Sequence, residues 1–211
     1  HTLTGPPPRK LSSSANNLQS QLQNLTSLNA TEQVQIVTED GNIPLRGENR
    51  ATMRLHKLCH RATYIFLVRP SDSKLFVQRR SMLKDYCPNY LDPTPGGVVG
   101  LGESYADNSR RELAEEMGLC NTQLSRLFTF HYKDEIVNTW GEAYEAKWEG
   151  SPKDLKLQEE EVSEVLMMSV DEILKLDSES KKDKFTKDSI HALKLYKQFK
   201  QEEKVRNLGG K

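Results

Sequence analysis

A nearly unbroken apolar run, Ala-Thr-Tyr-Ile-Phe-Leu-Val-Arg, occupies residues 62–69. Bounded by turn residues at 70–73, it reads as a buried strand, and residues 74–79 (KLFVQR) read as its hairpin partner. Upstream, residues 33–38 have a strand pattern closed by a turn at 39–42. Downstream, residues 124–133 and 139–148 alternate well enough for two more strands around a turn, and 165–169 form a short one. Helical spacing covers 105–117, begins again at 170–175, and closes the chain at 187–202, where Ile190, Leu193, Leu195, Tyr196 and Phe199 are the apolar positions. This order predicts an α/β fold, a mixed sheet between helices.

Composition changes the picture at the ends. Residues 1–31 hold Pro6-Pro7-Pro8, Ser12-Ser13-Ser14 and no acidic residue, and read as a disordered extension. A Ser-rich, acid-poor segment is also compatible with organellar targeting. The folded domain is expected over 32–204 and a flexible tail over 205–211. Formal net charge is zero, which argues against a dedicated nucleic-acid surface. No apolar run approaches a membrane span. The cysteines, Cys59, Cys87 and Cys120, are odd in number and have no metal spacing, so reduced thiols in a cytoplasmic protein are expected.

The chemistry concentrates in residues 97–119, GVVGLGESYADNSRRELAEEMGL. Gly96 and Gly97 mark a turn where backbone can take positive φ or approach a ligand closely. Ser104 is an expected N-cap with Asp107 at the capping-box distance, and Gly118 an expected left-handed C-cap. On the helix between them, Glu112, Glu115 and Glu116 stand at i, i+3 and i+4 and share a face. Like charges so spaced cost about 0.2–0.5 kcal/mol per pair. Glu115 and Glu116 also fall at the negative end of the helix dipole. A bound divalent cation removes both objections, and an all-oxygen cluster suits Mg²⁺ or Mn²⁺. A merely solvated acidic face would explain neither the glycines nor Arg111, which can lock a neighbouring carboxylate by a bidentate pair. Glu103, just before the helix, is placed to support the cluster or to join it.

The same segment resembles the Nudix box position by position: Gly97, five residues, Glu103, seven residues, then Arg111-Glu112-Leu113-x-Glu115-Glu116-x-Gly118-Leu119. The likeness extends over residues 33–200, where CHRATYIFLV, LFVQRRSMLKDYCPNYLDPTPGGVV and LQEEEVSEV are similar to Nudix hydrolases related to isopentenyl diphosphate isomerase. The resemblance implies an α/β/α sandwich and Mg²⁺-dependent hydrolysis of a diphosphate linkage in a nucleoside diphosphate–X type of small molecule. It implies that Glu112, Glu115 and Glu116, with a backbone carbonyl near Gly96, bind the metal. Glu115, Glu116 or Glu161 would take the proton of the attacking water. Glu161 lies in the acidic run 159–161, where many Nudix enzymes carry a late Glu. The isomerases hold their diphosphate with an Arg and, four residues on, a Lys. These fall on Arg80 and Lys84, with Arg79 as the substitute if the alignment slips by one. Tyr132, Trp140 and Tyr144 could stack a base, though aromatics in a sheet are more often core. A homodimer is compatible with this reading.

Two rival readings follow from the same kinship. The isomerase places Cys-Gly-His before its box loop, and here those places hold Gly96, Gly97 and Val98. Its histidine before the strand survives as His60, but the companion histidine falls near Met53. Isomerisation then lacks its proton donor and most of its metal cage. A silent binding module on the same scaffold would show a degenerate box, and this one is intact. Hydrolysis is the expected activity.

Overall fold

The structure is a computed structural model describing residues 31–180 and 184–209. All of the expected N-terminal extension except Thr31 lies outside the described residues. The elements are β1 (Gln33–Val37), β2 (Pro44–Asn49), α1 (Arg50–His56), β3 (His60–Arg69), β4 (Lys74–Arg80), β5 (Leu91–Asp92), α2 (Tyr105–Met117), β6 (Leu124–Lys133), β7 (Asn138–Lys147), β8 (Val162–Met168), α3 (Val170–Glu179) and α4 (Lys187–Gly209).

β3 organises them. One edge pairs in parallel with β7, from His60 opposite Thr139 to Val68 opposite Lys147. Its other edge meets β4 only at the hairpin base, Val68 opposite Leu75 and Arg69 opposite Lys74. Beyond that point β4 diverges to pair with β8 and β5. The vacated edge of β3 is taken by a loop: Ile65 N–H donates to the Pro95 carbonyl, Thr63 N–H to Gly97, and Val99 N–H to Arg61, all at 2.9 Å. This divergence lets a glycine loop lie along the middle of the sheet.

Alternation along β3 feeds two cores. Tyr64, Phe66 and Val68 pack with Ile173 of α3 and with Ile190, Leu193 and Tyr196 of α4. Ile65 and Leu67 pack with Leu113 and Met117 of α2. Helices therefore cover both faces, the expected α/β/α sandwich. A third, smaller cluster of Val34, Ile36, Met53 and Val98 ties β1, α1 and the loop together.

β2 and α1 lie between the two upstream strands and were not expected. Pro-Leu-Arg-Gly-Glu-Asn has little strand propensity, and it pairs only with β1. α1 is short but capped at both ends: the Asn49 side-chain Oδ1 accepts from the Ala51 amide at 2.9 Å, and Lys57 is left-handed with φ of 51°. α4 runs through Gly209, past the expected boundary at 204. It therefore covers most of the expected flexible tail; residues 210 and 211 lie outside the described residues.

His60 opens β3 as a buried structural residue. Its Nδ1 lies 3.0 Å from the Leu58 carbonyl. Burial, with Arg54 adding, pushes the imidazole from 6.5 down to about 3. The folded state then keeps His60 neutral where the unfolded chain takes up a proton, so its stabilisation is complete above pH 6.5 and is lost as pH falls toward 3. The slope from this one group is at most about 1.4 kcal/mol per pH unit. Urea unfolding at pH 7 and pH 5 is expected to show a larger loss for the wild type than for His60→Gln. Equal losses would remove His60 from the linkage. In the core, Phe66 is fully buried and stacks on Tyr196 with ring centroids 4.2 Å apart. Phe66→Ala is expected to cost about 3–5 kcal/mol in the same measurement.

Candidate active site

α2 begins and ends where its sequence requires. The Ser104 hydroxyl accepts from the Asp107 amide at 3.1 Å, and Gly118 closes the helix with φ of 72°. Between these caps, Leu113 and Met117 enter the core while Glu112 and Glu116 face the glycine loop. Glu116 accepts the Gly96 N–H at 3.0 Å. Glu112 lies so near Gly97 that a Cβ there would fall 2.4 Å from its Oε1. Gly96 has φ of 145°, and a Cβ on it would fall 2.2 Å from the Thr63 carbonyl oxygen. One glycine is thus required by the backbone and the other by a carboxylate. Since Pro95 and Gly97 give their carbonyls to β3, the Gly96 carbonyl stands outside that ladder.

Buried Asn108 joins the three parts. Its Oδ1 accepts from Thr63 Oγ1 at 2.5 Å, and its Nδ2 donates to the Val98 carbonyl at 3.0 Å and to Glu103 at 2.9 Å. Arg111 completes the brace. Its Nε donates to Glu103 at 2.9 Å, one terminal nitrogen to Glu115 at 2.8 Å, and the other lies 3.0 Å from Glu112. Burial would raise the Glu103 carboxyl, but Arg111, Asn108 and the Gly100 amide hold it below its usual value. Glu103 is thus bonded to the loop through the Gly100 amide and to the helix through Asn108 and Arg111.

The three helix carboxylates are divided. Glu116 has a side chain 2% exposed and its Oε1 has no hydrogen-bond partner. Glu115 is 49% exposed and is turned onto Arg111. Accordingly, no three acidic, histidine or cysteine side chains converge as a finished metal cage among the described residues. Burial pushes the Glu116 carboxyl up, with Lys84 opposing and Glu112 adding. Burial also raises Glu112, against Arg111 and Lys84. An orphaned buried oxygen and a second carboxylate beside it, with the Gly96 carbonyl in the same loop, make an all-oxygen donor set. That donor set fits a hard divalent cation, which retains waters and shares substrate oxygens.

Glu112 and Glu116 line a cleft of about 390 Å³ that also contains Gly97, Lys84, Arg50, Asp85 and Glu161, whereas Gly96 lines the neighbouring cavity. Lys84 is ion-paired with Glu161, and its Nζ lies 3.9 Å from Glu116 Oε1. Burial, then Arg80, pushes the Lys84 amine below its usual value. Of the three expected diphosphate cations, Lys84 alone faces the cleft. Arg80 is buried, donates from Nε to the Tyr86 carbonyl at 3.0 Å and lies 3.4 Å from Asp92, where it lines a deeper chamber. Arg79, on the alternate face of β4, pairs with Glu164 and lines neither cavity. The aromatics expected to stack a base are also elsewhere. Trp140 stacks on His131 at 5.2 Å, Tyr132 donates to Asp134 at 2.9 Å, and Tyr144 is buried. The sequence reading missed Arg50, Arg54 and Asp85. The one available signal was the i, i+4 spacing of the two arginines, on a helix too short to be recognised.

A NUDIX domain matches residues 59–189. The chain is 38% identical over 169 residues to the uncharacterized Nudix hydrolase YfcD of Salmonella typhi, covering 80% of this chain and 86% of that protein. Among solved structures it is similar to DR0079 from Deinococcus radiodurans, with a TM-score of 0.66 at 22% identity over 77% of this chain and 98% of that one. It is also similar to the NUDIX domain of Shewanella oneidensis NrtR, solved with ADP ribose, with a TM-score of 0.51 at 17% identity over 65% and 85%. With its glycine loop, braced helix and paired carboxylates on this sandwich, the chain belongs to the Nudix family and is one of its pyrophosphohydrolases.

Proposed function

We propose that the protein hydrolyses the diphosphate linkage of a nucleoside diphosphate–X compound with Mg²⁺, or Mn²⁺ in its place, held by Glu112, Glu116 and the Gly96 carbonyl. The observation that carries this reading is the Glu116 carboxylate, buried against the loop with an unpartnered oxygen. The cation would polarise phosphoryl oxygens and acidify an attacking water. Glu115 borders the same cleft and can supply a further oxygen once it leaves Arg111. Glu161 is the candidate base: it faces Glu116 across Lys84, in the cleft but off the helix. Lys84 places a buried positive charge between those carboxylates, where a diphosphate would lie. The Arg111–Glu103 pair and Asn108 keep loop and helix fixed, so Glu116 need not reorganise during reaction.

The isomerase reading finds no support at its own positions. Gly96 offers no thiol, Val98 and Met53 share a buried apolar cluster, and the His60 ring is engaged by a backbone carbonyl. The ADP ribose bound to the NrtR domain is itself a nucleoside diphosphate–X compound, which is in keeping with the substrate class.

Phosphate and nucleotide release would be measured with Mg²⁺ or Mn²⁺ on nucleoside di- and triphosphates, nucleotide sugars, dinucleoside polyphosphates, coenzyme A, NADH and prenyl diphosphates. Turnover is expected in the wild type and expected to vanish in Glu116→Gln, which keeps the side chain's shape and an oxygen for the Gly96 amide while Lys84 keeps Glu161. Glu161→Gln is expected to lower kcat by about 10²–10⁴ with KM little changed. Absence of metal-dependent release in the wild type, with allylic isomer formed from isopentenyl diphosphate, would replace hydrolysis with isomerisation.

A further inference from the structure

Beyond the cleft lies a chamber of about 50 Å³. Arg50, Lys84 and Gly97 line both cavities, so the chamber adjoins the cleft at the glycine loop. A single water needs about 10–15 Å³ by this measure. The chamber therefore has room for a group the size of several waters, such as a phosphate, and excludes a nucleoside.

Its walls are unevenly charged: Arg50, Arg54, Arg80 and Lys84 stand against Asp92 and Asp188. Both carboxylates already have partners. Asp92 lies 3.4 Å from Arg80, and Asp188 accepts the hydroxyls of Tyr64 at 2.9 Å and Tyr86 at 3.0 Å. Arg50 is also spent, on Asp85 at 3.1 Å and Glu32 at 3.2 Å. Arg54, one turn further along α1, is different. Its nearest carboxylate, Asp85, is 3.9 Å away and shared with Arg50, and its Nε is sealed from solvent without a hydrogen-bond partner. Its guanidinium lies over the Tyr86 ring, 4.9 Å from the centroid, which fixes its plane. A buried donor left unmade costs about 1–3 kcal/mol, and more when it is charged. Burial, with Arg50 adding, works against the charge on Arg54, and an incoming anion would relieve both.

We propose that this chamber is an anion subsite, with Arg54 as its principal ligand, that takes a phosphoryl group of the substrate other than the one held at Glu112 and Glu116. The proposal deepens the hydrolytic reading and rests on it for the word substrate. It selects, among diphosphate compounds, those bearing a third phosphoryl group. Free phosphate offers the same chemistry, so the test has two arms.

In the first arm, inorganic phosphate is titrated calorimetrically into the full chain without metal. The wild type and Glu116→Gln are expected to bind it, and Arg54→Gln to bind about tenfold or more weakly. Arg54→Lys, which keeps the charge and loses the fork, is expected to weaken binding by a smaller factor and serves if Arg54→Gln does not fold. In the second arm, Arg54→Gln is expected to raise KM for a nucleoside triphosphate more than for the matching diphosphate, with kcat little changed. No phosphate binding by the wild type, or undiminished binding in both Arg54 variants, overturns the subsite. Equal KM changes for the two nucleotides overturn its assignment to substrate. Phosphate binding that depends on Arg54 in a protein without turnover would sustain the subsite while the hydrolytic reading fell.

Discussion

The contact between the Gly96–Gly97 backbone and the carboxylates of Glu112 and Glu116 sets the terms for everything around it. At Gly96 the loop can carry no side chain, because a Cβ would meet the Thr63 carbonyl, and at Gly97 a Cβ would push the Glu112 carboxylate out of place. A glycine pair is intrinsically loose, and fixing it costs more conformational entropy than fixing other residues. The fold must therefore hold this loop by its backbone, and it does so from two sides. β3 takes the Pro95 and Gly97 carbonyls, and Glu116 takes the Gly96 amide. The position of α2 then decides whether the second hold exists, which is why Asn108 and the Arg111–Glu103 pair join helix to loop directly. The Arg111 guanidinium engages Glu103, Glu112 and Glu115 at once, and Glu116 is left to the Gly96 amide and Lys84.

The sheet makes this arrangement available. Were β4 paired with β3 along its length, no edge would remain for the loop. Because β4 turns away to β8 after two residue pairs, the middle of β3 is free on that side yet fully covered by helices on both faces. A loop laid there is buried, and its polar groups must find partners. α1 closes the remaining flank. Met53 anchors it in the cluster with Val98, and that anchorage turns Arg50 and Arg54 toward the cavities.

Where a residue's role was set by local spacing, the sequence was legible. Ser104, Gly118 and the Glu112–Glu116 periodicity all describe one helix, and a helix carries its faces with it. β3 and its hairpin were legible for a similar reason, since a long apolar run bounded by turn residues has few other uses. What depended on strand face or on chain folding back was not. Arg79 and Arg80 are neighbours in sequence, but successive strand residues point opposite ways, so one pairs with Glu164 and the other is buried beside Asp92. Glu115 has the right spacing to join its neighbours, and only the reach of Arg111 turns it outward. β2 and α1 carry weak local signals and exist because β1 and Met53 hold them. The arginines they deliver could not be anticipated without them.

The formal charge of zero conceals a strong local polarity. The cleft is lined by seven carboxylates and three cations, whereas the chamber behind it is lined by four cations and two carboxylates. Separating opposite charges across a wall formed by Arg50, Lys84 and Gly97 is unfavourable when the same groups could pair. The fold prevents that collapse by assigning partners in advance: Arg50 to Asp85 and Glu32, Arg80 to Asp92, Lys84 to Glu161, and Asp188 to two tyrosines. Two groups are left over, one on each side of the wall, the Glu116 oxygen and the Arg54 Nε. A free ion can satisfy one of them. A cation-bound polyphosphate can satisfy both, since its metal and its outer phosphoryl group carry opposite charge. Under the proposed reading, the polarity of the two cavities matches such a molecule as a whole, and it is the cost of these two unmade contacts that would favour binding it.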